Sequence, residues 1–133
     1  MFYMFFVQDG DFDGKVTKYQ DLVVWQKSMQ LVKEVYKLVR LLPKGEKYAL
    51  GDQMRRAAVS IPSNIAEGYG RNYDKELIQF LYISRGSKSE LETQIEISIM
   101  LGYFSREEAE ASLDLCSEVG KMLNAFLSSL KNK

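Results

Sequence analysis

The chain has no histidine among its 133 residues. That absence removes the commonest general base and the commonest metal ligand at once. It excludes any Ser-His or Cys-His nucleophile pair within the chain, and it leaves zinc only carboxylates and one thiol. The single cysteine cannot close an internal disulfide, so a reducing cytoplasm is the expected setting. Only two prolines occur and long stretches lack glycine, which favours helix over sheet. With no nucleophile motif and no ligand cluster, the expectation is a protein that binds and assembles rather than an enzyme, with no cofactor and no metal.

What is present fits one domain. The hydrophobic fraction is 46%, ordinary for a globular chain long enough to bury a core. Eighteen basic and eighteen acidic residues cancel, but they are unevenly placed. Residues 15–88 carry fourteen Lys/Arg against seven Asp/Glu, whereas residues 89–120 carry one Arg against eight acids. Two readings stay open. The charges can face each other across helices or subunits, or the basic half can present a surface to an anionic partner.

The first seventeen residues stand apart from the remainder, which is expected to form the domain at 18–133. Met1 to Val7 is apolar but has no basic flank and stops at Gln8-Asp9. It is too short to span a bilayer or to serve as a secretory signal, and no membrane partner is expected. A short strand, an arm packed on a neighbour and a disordered tail are all compatible with it. Asp9, Asp11 and Asp13, followed by Gly14, reproduce the opening of a calcium loop. The twelfth position is Gln20 where a bidentate Glu is needed, so an acidic turn is the expectation.

Four segments then repeat apolar residues every three or four positions, which gives an all-α, antiparallel up-down-up-down four-helix bundle. The first helix is expected from Asp21, as its cap, to Leu42, with Pro43 as its stop. It carries two stripes. One is Leu22, Trp25, Met29, Val32, Tyr36 and Val39, and the other is Val24, Leu31, Val35, Leu38 and Leu42. They fit either a wide core face or a core face plus a subunit contact. The second helix carries Leu50, Met54, Ala57, Ala58, Ile61 and Ile65. Pro62 within it predicts a kink, because proline deletes a backbone hydrogen bond and clashes with the preceding turn. Gly68-Tyr69-Gly70 should end it with a left-handed cap. The third runs from Asn72 or Asp74 to Leu101, with Gly102 closing it. The fourth opens at Ser105 with the capping box Ser105-Arg106-Glu107-Glu108 and continues through Ala109, Leu113, Cys116, Val119, Leu123, Phe126 and Leu130. Cys116 lies on that stripe and is expected to fill core.

The densest polar signal lies in Gln53 to Gly68 and in Phe80 to Gln94. Ser60, Asn64 and Glu67 share one helical face, and Ser87, Glu90 and Gln94 share another. If the faces meet, the bundle contains a polar layer, which is either a structural network that fixes register or a binding site. Arg55, Arg56, Arg71, Lys75, Arg85 and Lys88 are the candidate phosphate contacts for RNA or DNA.

Leu22-Val23-Val24-Trp25-Gln26-Lys27, the run from Gln53 through Arg55-Arg56-Ala57 and Ser60-Ile61-Pro62 to Asn64-Ile65-Ala66-Glu67-Gly68, and Arg85-Gly86-Ser87 with Glu90-Leu91 together resemble the 23S rRNA intervening-sequence protein family of bacterial four-helix bundles. The resemblance covers about residues 18–130. It implies a four-helix bundle assembled as a homopentamer, from proteins often encoded within 23S rRNA genes. A related branch, the accessory variability determinant of diversity-generating retroelements, is implied to be a pentamer that binds nucleic acid and a protein partner, a reverse transcriptase. The resemblance singles out Arg55, Arg56, Ser60, Pro62, Asn64, Glu67, Gly68, Arg85, Gly86, Ser87 and Glu90. The expected function is a non-enzymatic oligomeric accessory protein that associates with RNA or a ribonucleoprotein. The alternative is an assembly scaffold with no nucleic-acid ligand.

Overall fold

The computed structural model describes residues 18–133. The expectations for Met1 to Val7 and for Asp9, Asp11 and Asp13 lie outside that range. Four helices carry the described chain: α1 (Val23–Val39), α2 (Leu50–Tyr69), α3 (Asp74–Met100) and α4 (Glu110–Lys131). No strand occurs among the described residues. Helix α1 packs on α2 and α4, and α3 packs on the same two, so the helices form a closed four-membered ring. Cross-helix pairs such as Ser84 with Ile61 and Met54 with Ser98 run in opposite directions along α2 and α3. Arg85 with Asn124 and Asp74 with Lys133 do the same for α3 and α4.

Of the two apolar stripes on α1, the core takes Val24, Leu31, Val35, Leu38 and Leu42 together with Leu22 and Val39. Met29 and Tyr36 are exposed, while Trp25 and Val32 are half-buried. Ile61, Leu91 and Leu123 are fully buried and meet the same core. Asp21 does not cap α1. It ends a 3-10 turn at Tyr19–Asp21, and Leu22 occupies the cap position without a side-chain hydrogen bond. The entry is held instead by Gln26 Nε2, which donates to the Gln20 carbonyl at 2.8 Å.

Helix α2 continues through Pro62 to Tyr69. Gly70 ends it with φ −79°, in the right-handed region, rather than in the expected left-handed cap. The glycine that matters there is Gly68. A Cβ at that position would stand 2.7 Å from Phe80 Cβ, so α2 and α3 meet backbone to side chain at this level. The left-handed cap occurs after α3, where Gly102 has φ +79°. Tyr103 N–H donates to Ser98 O and Gly102 N–H to Ile99 O, each at 2.9 Å, so two helix-end carbonyls are satisfied. The Ser105 capping box forms in both directions, at 3.0 Å and 2.9 Å with Glu108. It heads a separate turn through Ala109, and regular α4 begins at Glu110.

Candidate nucleic-acid interface

Small side chains let α2 and α3 approach closely, and the polar layer forms where they do. Ser60 Oγ and Ser87 Oγ lie 2.8 Å apart. Asn64 Nδ2 donates to Ser60 O at 2.8 Å and to Ser60 Oγ at 2.9 Å. Ser84, fully buried, donates to the Ile61 carbonyl at 2.8 Å. Gln94 is buried in the same seam, and its Oε1 has no hydrogen-bond partner among the described residues. Glu67 and Glu90 stay exposed, because a carboxylate costs far more to desolvate than a hydroxyl. Glu67 pairs with Arg71 at 2.9 Å. Glu90 lines a groove of ≈ 370 Å³ with Gln53, Arg56, Ala57, Ser60, Ser87 and Gln94.

The six candidate cations do not form one patch. Arg55 donates to the Lys47 carbonyl at 2.9 Å and is paired with Asp52. Arg71, at the α2–α3 end, pairs with Glu67, lies 3.8 Å from Glu76 and covers the Phe80 ring at 4.9 Å. Lys88 pairs with Glu92 at 2.9 Å, and its stem crosses Gly120 of α4. Arg56 and Lys75 are exposed and have no carboxylate partner among the described residues. Arg85 also lacks one. Its guanidinium lies over the Tyr82 ring at 4.9 Å and donates to Asn124 Oδ1 at 3.1 Å.

Two residues absent from the sequence-derived set complete this last arrangement. Lys131, on the last turn of α4, donates to the Tyr82 hydroxyl and sits 5.1 Å from its ring centre. The hydrogen bond from Lys131, aided by the charges of Lys131 and Arg85, draws the Tyr82 phenol below its ordinary pKa despite partial desolvation. Tyr82 and Arg85 are three residues apart, so their pairing was visible in the sequence. Lys131 lies 49 positions further along, and only the antiparallel α3–α4 packing brings it there.

Cys116 is buried, and that burial, with Glu92 adding to it and Lys88 opposing it, pushes its thiol up to about 12. It therefore carries no thiolate at neutral pH. Among the described residues no three of Cys, Asp and Glu converge as a metal site, and no helix is long and apolar enough to cross a membrane.

These features define an all-α four-helix bundle with a polar seam between α2 and α3 and an aromatic–cation cluster between α3 and α4. The chain belongs to the 23S rRNA-intervening sequence protein family, which matches residues 20–125. Among solved structures it is similar to a protein of unknown function from the S23 ribosomal protein family of Bacteroides thetaiotaomicron VPI-5482. The two are 25% identical with a TM-score of 0.73, and the match covers 78% of this chain and 97% of that one. No curated protein matches the chain.

Proposed function

We propose that this chain is a non-enzymatic, oligomeric accessory protein that binds RNA, or another single-stranded nucleic acid, along the α3–α4 face. The observation that carries this reading is Tyr82 flanked by Arg85 and Lys131, neither of which is neutralised by a carboxylate among the described residues. Unpaired cations are free to replace the counterions of a phosphate backbone. The guanidinium plane of Arg85, held over the Tyr82 ring, offers a base a stacking surface that tolerates any sequence. Cations already held by Asp or Glu, as Arg55, Arg71 and Lys88 are, must break those pairs first and contribute less.

The test is a titration with single-stranded RNA at increasing salt. Wild type should bind with affinity that falls steeply with salt. Replacing Arg85 and Lys131 together by Ala should weaken binding to all sequences and reduce the salt slope by about 2, one for each lost phosphate contact. No retention at low salt, or a flat salt response, rejects the reading.

A second reading, a protein assembly scaffold, is favoured by the exposed apolar residues of α3. Ile83, Ile97 and Met100, with Leu101 just beyond, are exposed without a covering element among the described residues. Glu107, Glu110 and Asp114 lie exposed on or just before α4 with no cation paired to them among the described residues. On this reading the acidic segment meets the basic half of a neighbouring copy, in the homopentamer that the family resemblance implies. Charge reversal at Glu107, Glu108 and Glu110 should then dissociate the oligomer in light scattering, and an unchanged mass rejects it.

A further inference from the structure

We infer that a bound single strand runs lengthwise along the seam between α3 and α4, takes Lys121 as a third phosphate contact, and stops where the same seam turns acidic. This rests on the nucleic-acid reading above. It adds the direction of the strand, which Arg85 and Lys131 alone leave open, since a strand laid across the seam would touch both as well.

On α4, Lys121, Asn124, Ser128 and Lys131 recur three, four and three positions apart, so they share one face of the helix. The hydrogen bonds from Arg85 to Asn124 and from Lys131 to Tyr82 turn that face towards α3. All four residues are exposed. Lys121, like Lys131, has no carboxylate partner among the described residues. The two lysines stand about 15 Å apart along the axis at 1.5 Å per residue, and Arg85 reaches in between them from α3. The side chains that separate the cations on this face are neutral. Asn124 and Ser128 suit phosphate and sugar oxygens, which such groups contact without reading sequence. A stacked strand rises about 3.4 Å per nucleotide, so a track of this length matches about four nucleotides.

Beyond Lys121 the seam changes sign. Asp114 and Glu110 lie seven and eleven positions before it, which keeps them on the same face. Both are exposed and paired with no cation among the described residues. On α3 the change falls at the same level. Lys88 lies against Gly120, where an added Cβ would stand 3.1 Å from its Nζ, and its ammonium is held by Glu92 at 2.9 Å. One turn further, Glu96 already pairs with Arg106. A phosphate carried past Lys121 would therefore meet free carboxylates and no free cation, and like charges repel it. A chain of zero net charge thus carries a basic track with a defined end.

The experiment is fluorescence anisotropy of a labelled oligouridylate across a salt series, with three variants at exposed positions. Lys121→Ala should weaken binding and reduce the salt slope by about 1, the share of one phosphate contact. Lys33→Ala removes an exposed cation of α1 that has no carboxylate partner among the described residues, and it should leave the slope unchanged. Asp114→Lys should lengthen the track and raise the slope by about 1. The inference is overturned by a slope that Lys121→Ala leaves unchanged, by one that Lys33→Ala reduces as much, or by one that Asp114→Lys fails to raise. If the Arg85 and Lys131 double variant still lowers the slope in such a case, the lengthwise path alone falls and the nucleic-acid reading stands. If the wild type does not bind at low salt, both fall.

Discussion

The Ser84 hydroxyl of α3 donates to the carbonyl oxygen of Ile61 in α2 at 2.8 Å, immediately before Pro62. Pro62 has no N–H to give to Ala58 O in the preceding turn, and side chains donate to three of the neighbouring carbonyls. Ser63 Oγ donates to Val59 O at 2.7 Å and Asn64 Nδ2 to Ser60 O at 2.8 Å. Ser84 is the one of the three that reaches across from another helix, so it ties the α3 register to the proline turn. Ser84→Ala should lower stability by about 1 kcal/mol, read as a lower urea midpoint with an unchanged denaturant slope. Ser63→Ala, at an exposed site within α2, should move the midpoint far less.

Two glycines of the family pattern should behave oppositely. A methyl group at Gly68 meets Phe80 Cβ at 2.7 Å and Leu77 Cδ1 at 3.1 Å, so Gly68→Ala forces the α2–α3 seam apart and should cost about 1–3 kcal/mol. At Gly86, mid-helix and exposed, nothing stands within 4 Å of the added atom. Gly86→Ala should therefore raise stability by about 1 kcal/mol through helix propensity alone. Thermal denaturation of both variants checks the pair. A stabilised Gly86→Ala that binds RNA or assembles more weakly would show that the glycine serves a partner rather than the fold.

The sequence carried the fold because apolar spacing of three and four is a local signal that core packing then obeys. It was less informative at chain ends. Asp21 is a good cap residue, but Leu22 is fully buried beside it, and burying that leucine fixes where α1 starts. Gly70 and Gly102 looked alike as terminators, yet only Gly102 adopts positive φ. For the polar layer, Ser60, Asn64 and Ser87 were identifiable because offsets along one helix are geometry. The exposure of Glu67 and Glu90 depends on the cost of desolvation, which spacing does not encode. The cation set fared similarly. Which arginine finds a carboxylate is decided by neighbours such as Asp52 and Glu92, and the Lys131–Tyr82 contact joins residues 49 apart.

Cys116 should be inert in the native state. Burial and the nearby Glu92 carboxylate both oppose its thiolate, which moves the thiol to about 12. Alkylation by iodoacetamide at neutral pH should proceed only as fast as the bundle opens and should accelerate in parallel with unfolding by urea. Cys116→Ala should leave oligonucleotide affinity unchanged while costing stability as a small core cavity does, about 1 kcal/mol.

Glu96 and Arg106 form a two-point contact at 3.0 Å and 2.7 Å, joining α3 to the turn before α4. The hydrogen bond from Arg106, and then its charge, hold the Glu96 carboxyl below its ordinary value. A carboxyl depressed in the folded state binds fewer protons there than in the unfolded chain. Its contribution is thus complete above the ordinary carboxylate range and disappears as the pH falls through the folded value. Glu96→Gln should lower the melting temperature slightly at neutral pH, and the gap should close on acidification. Both groups are exposed, so added salt should narrow the gap as well.

Tyr82 offers a reporter for the proposed nucleic-acid face. Its phenol is depressed chiefly by the hydrogen bond from Lys131, then by the charges of Lys131 and Arg85. It should therefore ionise before an ordinary tyrosine in a near-ultraviolet pH titration, with the early step absent from Tyr82→Phe. Lys131→Met should move that step upward, because it removes the largest cause. The linkage has the sign of any depressed acid: the stabilisation from this site is full above the ordinary tyrosine value and is lost as the pH falls through the folded one. A phosphate backbone laid across Arg85 and Lys131 would engage the same cations and add negative charge beside the ring. Bound RNA should then raise the Tyr82 step, whereas RNA bound on another face should leave it where it was.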